Sequence, residues 1–270
     1  MPELPEVETT RLGLLPRLQG RRLRQMQIRN ARLRWPIPED LPTMLVGKTL
    51  CDLTRRGKYL LFDFGDVTQI VHLGMSGSLR FAESGEVGGI HDHVDWRFDD
   101  GTLLRLRDPR RFGAVLWSTE PGQHPLLAKL GPEPLSAAFN ADYLYSLSRK
   151  RSIAIKQLLM DGHVVVGVGN IYASEALFHA GVRPGTAAGK LSRPACARLV
   201  SAVQRVLTAA IAAGGSSLRD YVHTSGELGY FQLHTQVYDR AGQACKACAT
   251  PIRRIVQGQR ASFYCPQCQR

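Results

Sequence analysis

Tyr59-Leu60-Leu61-Phe62-Asp63-Phe64 and Gln69-Ile70-Val71-His72-Leu73 are two short apolar runs joined by the turn-forming pair Gly65-Asp66. Runs of this length, rich in aromatic and branched residues and bounded by Gly and Asp, are typical of β-strands. Runs of the same texture follow at residues 94–98 and 103–106. Several strands at this spacing predict two packed antiparallel sheets in the first half of the chain.

A helix is predicted before these strands. Pro5 and Glu6 supply the proline and the carboxylate favoured at a helix start, and apolar residues from Val7 to Leu18 follow with helical spacing. Pro16 is expected to bend or end this helix because its ring cannot continue the hydrogen-bond ladder.

The second half of the chain has a helical texture. A stretch punctuated by proline and glycine at residues 121–134 ends the strand pattern and predicts a domain boundary. After it, residues 171–179 form a helical pattern that stops at Gly181, and Ser192 caps a longer helix with one apolar stripe. The predicted architecture is a β domain, a helical domain and a small cysteine-rich tail.

Composition predicts a soluble protein with an anionic partner. The chain has 270 residues, 35 Lys and Arg against 23 Asp and Glu, and a net charge of +12. Such an imbalance favours nucleic acids or membrane surfaces as partners. No run approaches the roughly 20 uninterrupted apolar residues of a membrane span, and no secretory leader is recognisable. We therefore expect a cytoplasmic protein that binds nucleic acid.

Four cysteines at the end of the chain predict a metal site. Cys245-x2-Cys248 is followed after sixteen residues by Cys265-x2-Cys268. Two such pairs suit one tetrahedral zinc ion, and four thiolates leave no open position for catalysis. A disulfide reading is poor in a reducing compartment, and redox chemistry rarely needs two pairs. Between the pairs, a hairpin is predicted to turn at Gly258-Gln259 and to carry Arg260 at its tip.

The first residues allow a nucleophile. Removal of Met1 would leave Pro2 with a secondary amine, and α-amino groups titrate near pH 8, about two units below lysine. An unprotonated amine can attack an electrophilic carbon and form a Schiff base. Glu3 beside it could supply a proton for opening a sugar at its anomeric carbon. Taken alone, the start Met-Pro favours an ordinary terminus, because many chains begin with these two residues.

Three internal segments are basic or rich in glycine. Arg55-Arg56-Gly57-Lys58-Tyr59 suits a solvated strand edge or a phosphate contact. Arg107-Asp108-Pro109-Arg110-Arg111-Phe112-Gly113 combines arginines and an aromatic in one turn, which suits phosphates and a wedge between bases, or a loop that buries Phe112. Gly167-Val168-Gly169-Asn170 opens a helix whose N–H groups could receive a phosphate.

Together these segments resemble the formamidopyrimidine-DNA glycosylase family over the full length of the chain. In chain order, the segments that carry the resemblance are Met1-Pro2-Glu3-Leu4-Pro5-Glu6-Val7-Glu8-Thr9, His72-Leu73-Gly74-Met75-Ser76-Gly77, Asp108-Pro109-Arg110-Arg111-Phe112-Gly113, Leu130-Gly131-Pro132-Glu133-Pro134-Leu135, Val166-Gly167-Val168-Gly169-Asn170-Ile171-Tyr172-Ala173-Ser174-Glu175 and the cysteine tail. None is sufficient alone, but their order and spacing are highly specific.

The resemblance implies an α+β multidomain fold: an N-terminal β-sandwich with the leading helix, a helix–two-turn–helix domain and a C-terminal zinc finger hairpin. We expect the β-sandwich catalytic domain at 1–120, a linker at 121–134, the helix–two-turn–helix DNA-binding domain at 135–235 and the zinc finger at 236–270. The implied cofactor is one structural Zn²⁺ ion. The implied partner is damaged double-stranded DNA, bound by a cytoplasmic, nucleoid-associated monomer without a membrane or an obligate protein partner.

The resemblance also implies an activity, that of a bifunctional glycosylase and lyase of base excision repair. Pro2 would displace an oxidised purine and form a Schiff base at C1′, and Glu3 would supply the proton that helps to open the deoxyribose. Lys58 would contact phosphate and assist β-elimination. Arg260 would support δ-elimination and hold the phosphates around the lesion.

Further matched positions concern the handling of DNA. Met75, Arg110 and Phe112 match the residues that fill the space left by the flipped nucleotide. Unstacking a base costs a few kcal/mol, and filling the void offsets that cost. Four other residues match positions that contact the DNA backbone: His91, Arg151, Lys156 and Asn170.

The loop from Thr224 to Tyr230 matches the loop that covers the lesion. Many relatives have aspartate where this chain has Ser225 and a basic residue where it has Glu227. Backbone amides of the loop are expected to hold the flipped base.

Two other interpretations remain open from the sequence. An enzyme similar to endonuclease VIII would use the same terminal proline on oxidised pyrimidines, but Leu4, Arg110 and Phe112 favour the purine enzyme. A non-catalytic, zinc-dependent DNA-binding protein could also use this scaffold, and it would form no covalent complex with damaged DNA.

Overall fold

The structure is a computed structural model that describes residues 2–83, 85–215 and 235–270. The chain divides into two compact units: Met1–Lys129 with Ala213–Tyr230, and Leu130–Ala212 with Phe231–Arg270. They are called the first and second unit below. The predicted lesion-covering loop at 224–230 lies outside the described residues.

The first unit contains two four-stranded antiparallel sheets. Its strands are β1 (Leu23–Ile28), β2 (Asp52–Arg56), β3 (Tyr59–Asp63), β4 (Thr68–His72), β5 (Ser78–Ala82), β6 (Asp92–Phe98), β7 (Leu103–Arg107) and β8 (Ala114–Ser118). One sheet has the order β1-β6-β7-β5 and the other β2-β3-β4-β8. The two runs that open the sequence analysis are β3 and β4, and their register pairs Tyr59 with His72.

A single hydrophobic core joins the two sheets. It contains Trp96 and Leu104 from one sheet and Leu60 and Val71 from the other, all at most 2% exposed. Burying one such side chain contributes about 1.5–3 kcal/mol. The shared core confirms the predicted β-sandwich.

The leading helix, α1 (Leu4–Leu18), packs into the same core through residues such as Val7 and Leu14. It includes Pro16 and ends two residues later at Leu18, so the proline stands in the last turn, close to where the helix stops. A short helix, α2 (Leu41–Leu45), follows β1.

Among its described residues, the second unit contains four α-helices, a short 3₁₀ helix at Ala188–Lys190 and a hairpin. The helices are α3 (Ala141–Ser148), α4 (Ile155–Leu159), α5 (Asn170–Ala180) and α6 (Arg193–Ala212), and the hairpin strands are β9 (Arg253–Gln257) and β10 (Arg260–Tyr264). Gly181 ends α5 in the left-handed region with φ 69°, where glycine has no steric penalty. Helix α6 packs against α3 and α5, and β10 packs against α5.

Helix α6 is long and apolar enough to cross a membrane by length and composition. Its apolar stripe, however, is buried within the second unit, with Leu199, Val203 and Leu207 at most 1% exposed. Core helices of soluble proteins have this same character. We therefore assign α6 to the core of the unit.

Candidate functional site

The start of α1 holds Pro2 and Glu3 in place. The Glu3 side chain accepts from the backbone N–H of Glu6, and the Glu6 carboxylate accepts from the backbone N–H of Glu3 at 2.8 Å. This reciprocal capping box satisfies two donors that a helix start leaves unpaired. Pro2, Glu3 and Glu6 are all buried. The sequence pattern thus fixes the backbone at the predicted nucleophile through local hydrogen bonds.

Lys58 lies in the two-residue turn between β2 and β3. Glu8 on α1 accepts from Arg55 Nε at 2.8 Å, and Arg55 Nη1 donates to the carbonyl of Gly57 at 3.0 Å. Burial raises the pKa of Glu8, but hydrogen bonds from Arg11 and Arg55 outweigh that effect and lower it. An ionised carboxylate therefore links α1 to the turn that carries Lys58.

His72 is a neighbour of this turn that the sequence interpretation left without a role. Its ring lies 4.8 Å from the ring of Tyr59, and its Nδ1 accepts from the backbone N–H of Gly74 at 3.1 Å. Burial, with the positive charges of Lys58 and Arg34, lowers the pKa of His72 to about 4. The imidazole is therefore neutral at pH 7 and can act as this acceptor.

The turns that carry Met75, Arg110 and Phe112 are in direct contact. A Cβ atom on Gly74 would lie 2.4 Å from the carbonyl carbon of Phe112, so only glycine fits there. Between the turns, the buried Asp108 carboxylate accepts from Ser76 Oγ at 2.8 Å and from the backbone N–H of Gly113 at 2.8 Å. The structure therefore brings the two turns that carry the three predicted void-filling residues into contact.

The void-filling side chains differ in exposure. Phe112 is 42% exposed, so the alternative of a buried loop aromatic is wrong. The guanidinium of Arg110 lies 4.8 Å from the Phe112 ring centroid, within cation–π range. Arg111 between them has φ 55°, a left-handed conformation that costs a bulky residue energy.

Arg32 and Arg34 lie beside this cluster, and the sequence interpretation missed them. They line an open groove of about 520 Å³ together with Leu33, Arg110, Arg111 and Phe112. Within the described part of the chain, none of the four arginines forms an ion pair with a carboxylate. A groove with four unneutralised guanidinium groups attracts phosphate.

The backbone of His91 is held next to the Arg110 turn. Its carbonyl accepts from the N–H of Asp108 at 2.9 Å. The preceding loop is tied to the sheet because Arg105 Nη1 donates to Glu86 at 3.0 Å and Arg105 Nε to Asp95 at 2.8 Å. Burial raises the pKa of Asp95, but hydrogen bonds from Arg105 and Arg29 hold it at about 2. A charged, buried network thus supports the loop before His91.

In the second unit, Lys156 and Asn170 contact each other and the hairpin. Lys156 Nζ donates to Asn170 Oδ1 at 2.6 Å, and Asn170 Nδ2 donates to the carbonyl of Ala261 at 3.0 Å. Arg260 begins β10 next to Ala261, after the turn at Gly258 and Gln259, whose φ values are 53° and 63°. This confirms the predicted hairpin turn.

Arg151 lies apart from this contact, in the turn after α3. Its side chain is exposed, and its backbone N–H donates to the carbonyl of Ser148 at 2.9 Å. A Cβ atom on Gly189 would lie 3.1 Å from the Arg151 carbonyl oxygen, so this turn is closely packed from behind.

The four cysteines form one cluster. The sulfur atoms of Cys245, Cys248, Cys265 and Cys268 all lie within 4.8 Å of one another, and three Sγ pairs are separated by 3.4, 3.4 and 3.9 Å. A tetrahedral zinc ion with Zn–S bonds of about 2.3 Å places its sulfur ligands about 3.8 Å apart. The cysteines are therefore positioned to bind one metal ion.

Comparison with known proteins identifies the family. Residues 1–115 match the formamidopyrimidine-DNA glycosylase N-terminal domain, residues 130–222 the formamidopyrimidine-DNA glycosylase H2TH domain, and residues 242–270 a zinc finger found in FPG and IleRS. A formamidopyrimidine-DNA glycosylase of Thiobacillus denitrificans is 73% identical over 100% of both chains. This chain belongs to the formamidopyrimidine-DNA glycosylase family.

Solved structures of formamidopyrimidine-DNA glycosylases have the same fold. A Lactococcus lactis FPG mutant in complex with a Fapy-dG containing DNA is 34% identical, with a TM-score of 0.93 and coverage of 100% of both chains. A MutM in complex with carbocyclic 8-oxo-G containing DNA is also 34% identical, with a TM-score of 0.91 and the same coverage. Membership of this family confirms the resemblance that the sequence motifs indicate. The chain is therefore a DNA glycosylase of base excision repair and not a non-catalytic DNA-binding protein.

The residues that sequence reasoning missed carry only a weak signal. Asn30-Ala31-Arg32-Leu33-Arg34-Trp35 places two arginines two residues apart before a proline, a pattern that many exposed loops share. In the sequence, Asp108 is only one residue of the segment from Asp108 to Gly113, and its role as the acceptor between two turns depends on Ser76, 32 residues earlier.

Proposed function

We propose that this formamidopyrimidine-DNA glycosylase excises oxidised purines, 8-oxoguanine and formamidopyrimidines, from duplex DNA and then nicks the strand by β,δ-elimination. The observation that supports it most is the first unit's arrangement: a helix start that fixes Pro2 and Glu3, together with the Met75, Arg110 and Phe112 cluster. Relatives of the same fold hold Fapy-dG or carbocyclic 8-oxo-G containing DNA.

The glycosylase step begins with Pro2 after Met1 is removed. The lone pair of its nitrogen attacks C1′, and the bond from C1′ to the base breaks. The base leaves with those electrons, and the proton that the Pro2 nitrogen loses balances the proton that the base takes up. The bond from C1′ to O4′ then breaks toward O4′, which receives a proton from Glu3. The product is an iminium between Pro2 and the opened sugar.

The lyase step follows from this iminium. Loss of a proton from C2′ allows the bond from C3′ to its phosphate oxygen to break, which is the β-elimination. Loss of a proton from C4′ then allows the bond from C5′ to its phosphate oxygen to break, which is the δ-elimination. Lys58 contacts phosphate and assists the first elimination. Arg260 supports the second by neutralising charge on the departing phosphate. Water then adds to C1′ of the iminium, the bond from C1′ to nitrogen breaks, and Pro2 is released as the free amine while C1′ becomes an aldehyde.

Extrusion of the damaged nucleotide is assigned to three side chains. Phe112 wedges between bases, Arg110 donates hydrogen bonds to the orphaned cytosine, and Met75 fills the remaining space. The exposure of Phe112 and the contact between the two turns support this assignment. Such wedging offsets an unstacking cost of a few kcal/mol.

Backbone contacts are assigned to His91, Arg151 and Asn170, with Lys156 as a further member of the predicted set. We also assign backbone contacts to Arg32 and Arg34, because they line the same groove as Arg110 and Arg111, called the arginine groove below. Charge neutralisation of this kind supplies much of the affinity for DNA.

Zinc bound by the four cysteines would keep the hairpin folded and so hold Arg260 at its tip. The cysteines occupy all positions of a tetrahedral ion, so its contribution is structural. The chemistry remains that of Pro2, Glu3, Lys58 and Arg260.

Borohydride trapping tests the nucleophile. Wild-type protein mixed with a duplex that contains 8-oxoguanine opposite cytosine should form a covalent complex on reduction, and peptide mass analysis should place the DNA on Pro2. Pro2→Gly, or protein that retains Met1, should trap far less while still binding a duplex with an uncleavable abasic analogue. Trapping of Pro2→Gly at the wild-type rate would show that another residue is the nucleophile.

A substrate comparison tests the class of base. Single-turnover excision of 8-oxoguanine opposite cytosine should exceed that of thymine glycol opposite adenine. Faster release of thymine glycol would instead favour the endonuclease VIII-like activity.

We also propose that the enzyme works as a monomer in the bacterial cytoplasm, associated with nucleoid DNA. We propose the same domains as the sequence predicts: the catalytic β-sandwich at 1–120, a linker at 121–134, the helix–two-turn–helix domain at 135–235 and the zinc finger at 236–270. Its net charge of +12 and its bacterial relatives support the location. Light scattering in solution tests the monomer, and co-localisation of a fluorescent fusion with DNA tests the nucleoid association.

A further inference from the structure

Lys156 is buried to a degree unusual for a side chain expected at a DNA backbone. It is 2% exposed, whereas Arg151 is exposed and Asn170 is partly exposed. Its ammonium group donates to Asn170 Oδ1 at 2.6 Å, to Ser262 Oγ at 2.8 Å and to the carbonyl of Ala261 at 3.0 Å. An ammonium has three N–H donors, and three protein acceptors lie within hydrogen-bond distance.

These acceptors belong to two elements that carry predicted functional residues. Asn170 is the first residue of α5. Ala261 and Ser262 directly follow Arg260 in β10. Asn170 Nδ2 also donates to the carbonyl of Ala261 at 3.0 Å. Lys156, Asn170 and β10 are therefore each hydrogen-bonded to the other two.

The tip of the hairpin also rests on the helix that carries Lys156. A Cβ atom on Gly258 would lie 2.7 Å from Gln157 Nε2. Lys156, Met160, Gln257 and Arg260 line one small cavity of about 200 Å³ there, with Gln157 and Gly258. Movement of Lys156 would therefore disturb the support of Arg260.

We propose that Lys156 is a positioning residue, which holds Arg260 and Asn170 in a fixed relation and acts on the elimination step through them. This rests on the proposed function of Arg260. A direct phosphate contact would require the ammonium to leave Asn170, Ala261 and the fully buried Ser262, and a buried polar group that loses its partner destabilises the fold.

A substitution at Ser262 tests the positioning role of Lys156 without changing a surface that contacts DNA. It is 0% exposed, so its hydroxyl serves the protein interior alone. Ser262→Ala should slow single-turnover cleavage of a preformed abasic site about fivefold, the equivalent of one hydrogen bond of about 1 kcal/mol, with the Kd for an uncleavable abasic analogue changed less than twofold. Ser136→Ala is the control: it removes a hydroxyl that donates to the backbone carbonyl of Glu133 at 2.8 Å, and it should behave as wild type.

A double-mutant cycle gives a second, independent readout. If Lys156 acts through Arg260, Lys156→Met should slow elimination in the wild-type background and add less than twofold in the Arg260→Gln background. The contrary result has two parts. The losses from Lys156→Met and Arg260→Gln would be additive, and Lys156→Met in the Arg260→Gln background would lower the slope of log K against log salt by about one. That result would assign Lys156 to a direct phosphate contact and overturn the proposal.

Two controls separate the possible failures. Zinc content per chain should equal that of wild type in every variant, so that loss of the hairpin fold is recognised. Borohydride trapping of wild-type protein is the reference: its absence would refute the proposed function, whereas normal trapping with wild-type elimination in Ser262→Ala would refute the positioning role alone.

Discussion

Ser76 donates a hydrogen bond of 2.8 Å to Asp108, and both side chains are buried. The second oxygen of Asp108 accepts from the backbone N–H of Gly113 at 2.8 Å. One carboxylate therefore joins the turn that carries Met75 to the turn that carries Arg110 and Phe112. Their relative position depends on a contact between residues 32 apart in the chain.

Removal of this contact should weaken extrusion of the damaged base. Ser76→Ala leaves an Asp108 oxygen without its donor, at a cost of about 1–3 kcal/mol. We expect single-turnover excision of 8-oxoguanine from duplex DNA to fall about tenfold, with cleavage of an abasic site in single-stranded DNA less affected, because that substrate needs no extrusion. Ser78→Ala, at a buried serine on β5, is the control. Equal losses on both substrates would contradict a role in extrusion.

The arginine groove should contribute to DNA affinity through charge. Arg34→Gln removes one cation from the groove, so the slope of log K against log salt should fall by about 0.9, the value for one phosphate contact. Arg24→Gln, which removes an exposed arginine of β1 that does not line the groove, should change the slope less. Fluorescence anisotropy with an undamaged duplex at several salt concentrations measures both. Equal slopes for the two variants would show that Arg34 is not part of the DNA-binding surface.

His72 should make the first unit sensitive to acid. Its pKa is lowered from 6.5 to about 4 in the folded chain, so the unfolded chain takes up the proton first as pH falls. The stabilisation is therefore complete above pH 6.5 and is lost between pH 6.5 and 4, by an amount on the order of 3 kcal/mol. His72→Gln should flatten the stability profile in this range.

Tryptophan fluorescence can follow this effect because Trp35, Trp96 and Trp117 account for all three tryptophans and lie in the first unit. Urea unfolding midpoints at pH 7.5, 6, 5 and 4 would be compared between wild type and His72→Gln. An unchanged profile in the variant would exclude His72 as the titrating group.

Loss of a zinc ligand should affect the two units differently. Cys248→Ala should reduce bound zinc from one ion per chain to nearly none, because structural zinc sites in small modules fold with the metal. DNA affinity should fall about tenfold or more as Arg260 loses its support. The tryptophan unfolding profile should remain that of wild type, and Cys51→Ala, at an exposed lone cysteine, should keep its zinc. Full zinc content in Cys248→Ala would contradict the four-thiolate site.

Much of this fold could be predicted because its signals are local. Strands β3 and β4 follow from short apolar runs separated by Gly65-Asp66. The β9–β10 hairpin follows from Gly258-Gln259, which adopt positive φ in the structure. The cysteine spacing determines the metal site for the same reason, since each pair lies on one tight turn. The reciprocal bonds of Glu3 and Glu6 span three residues, within reach of a sequence pattern.

The tertiary structure decided which side chains cooperate. That Asp108 joins two turns, that Arg32 and Arg34 share a groove with Arg110, and that Lys156 is buried against β10 all depend on packing between distant segments. Sequence alone shows that Lys156 is a cation but not whether it faces solvent, because burial is a property of the neighbours that fold around it. The chemical groups were therefore determined by the sequence, and their contacts by the packing of the core.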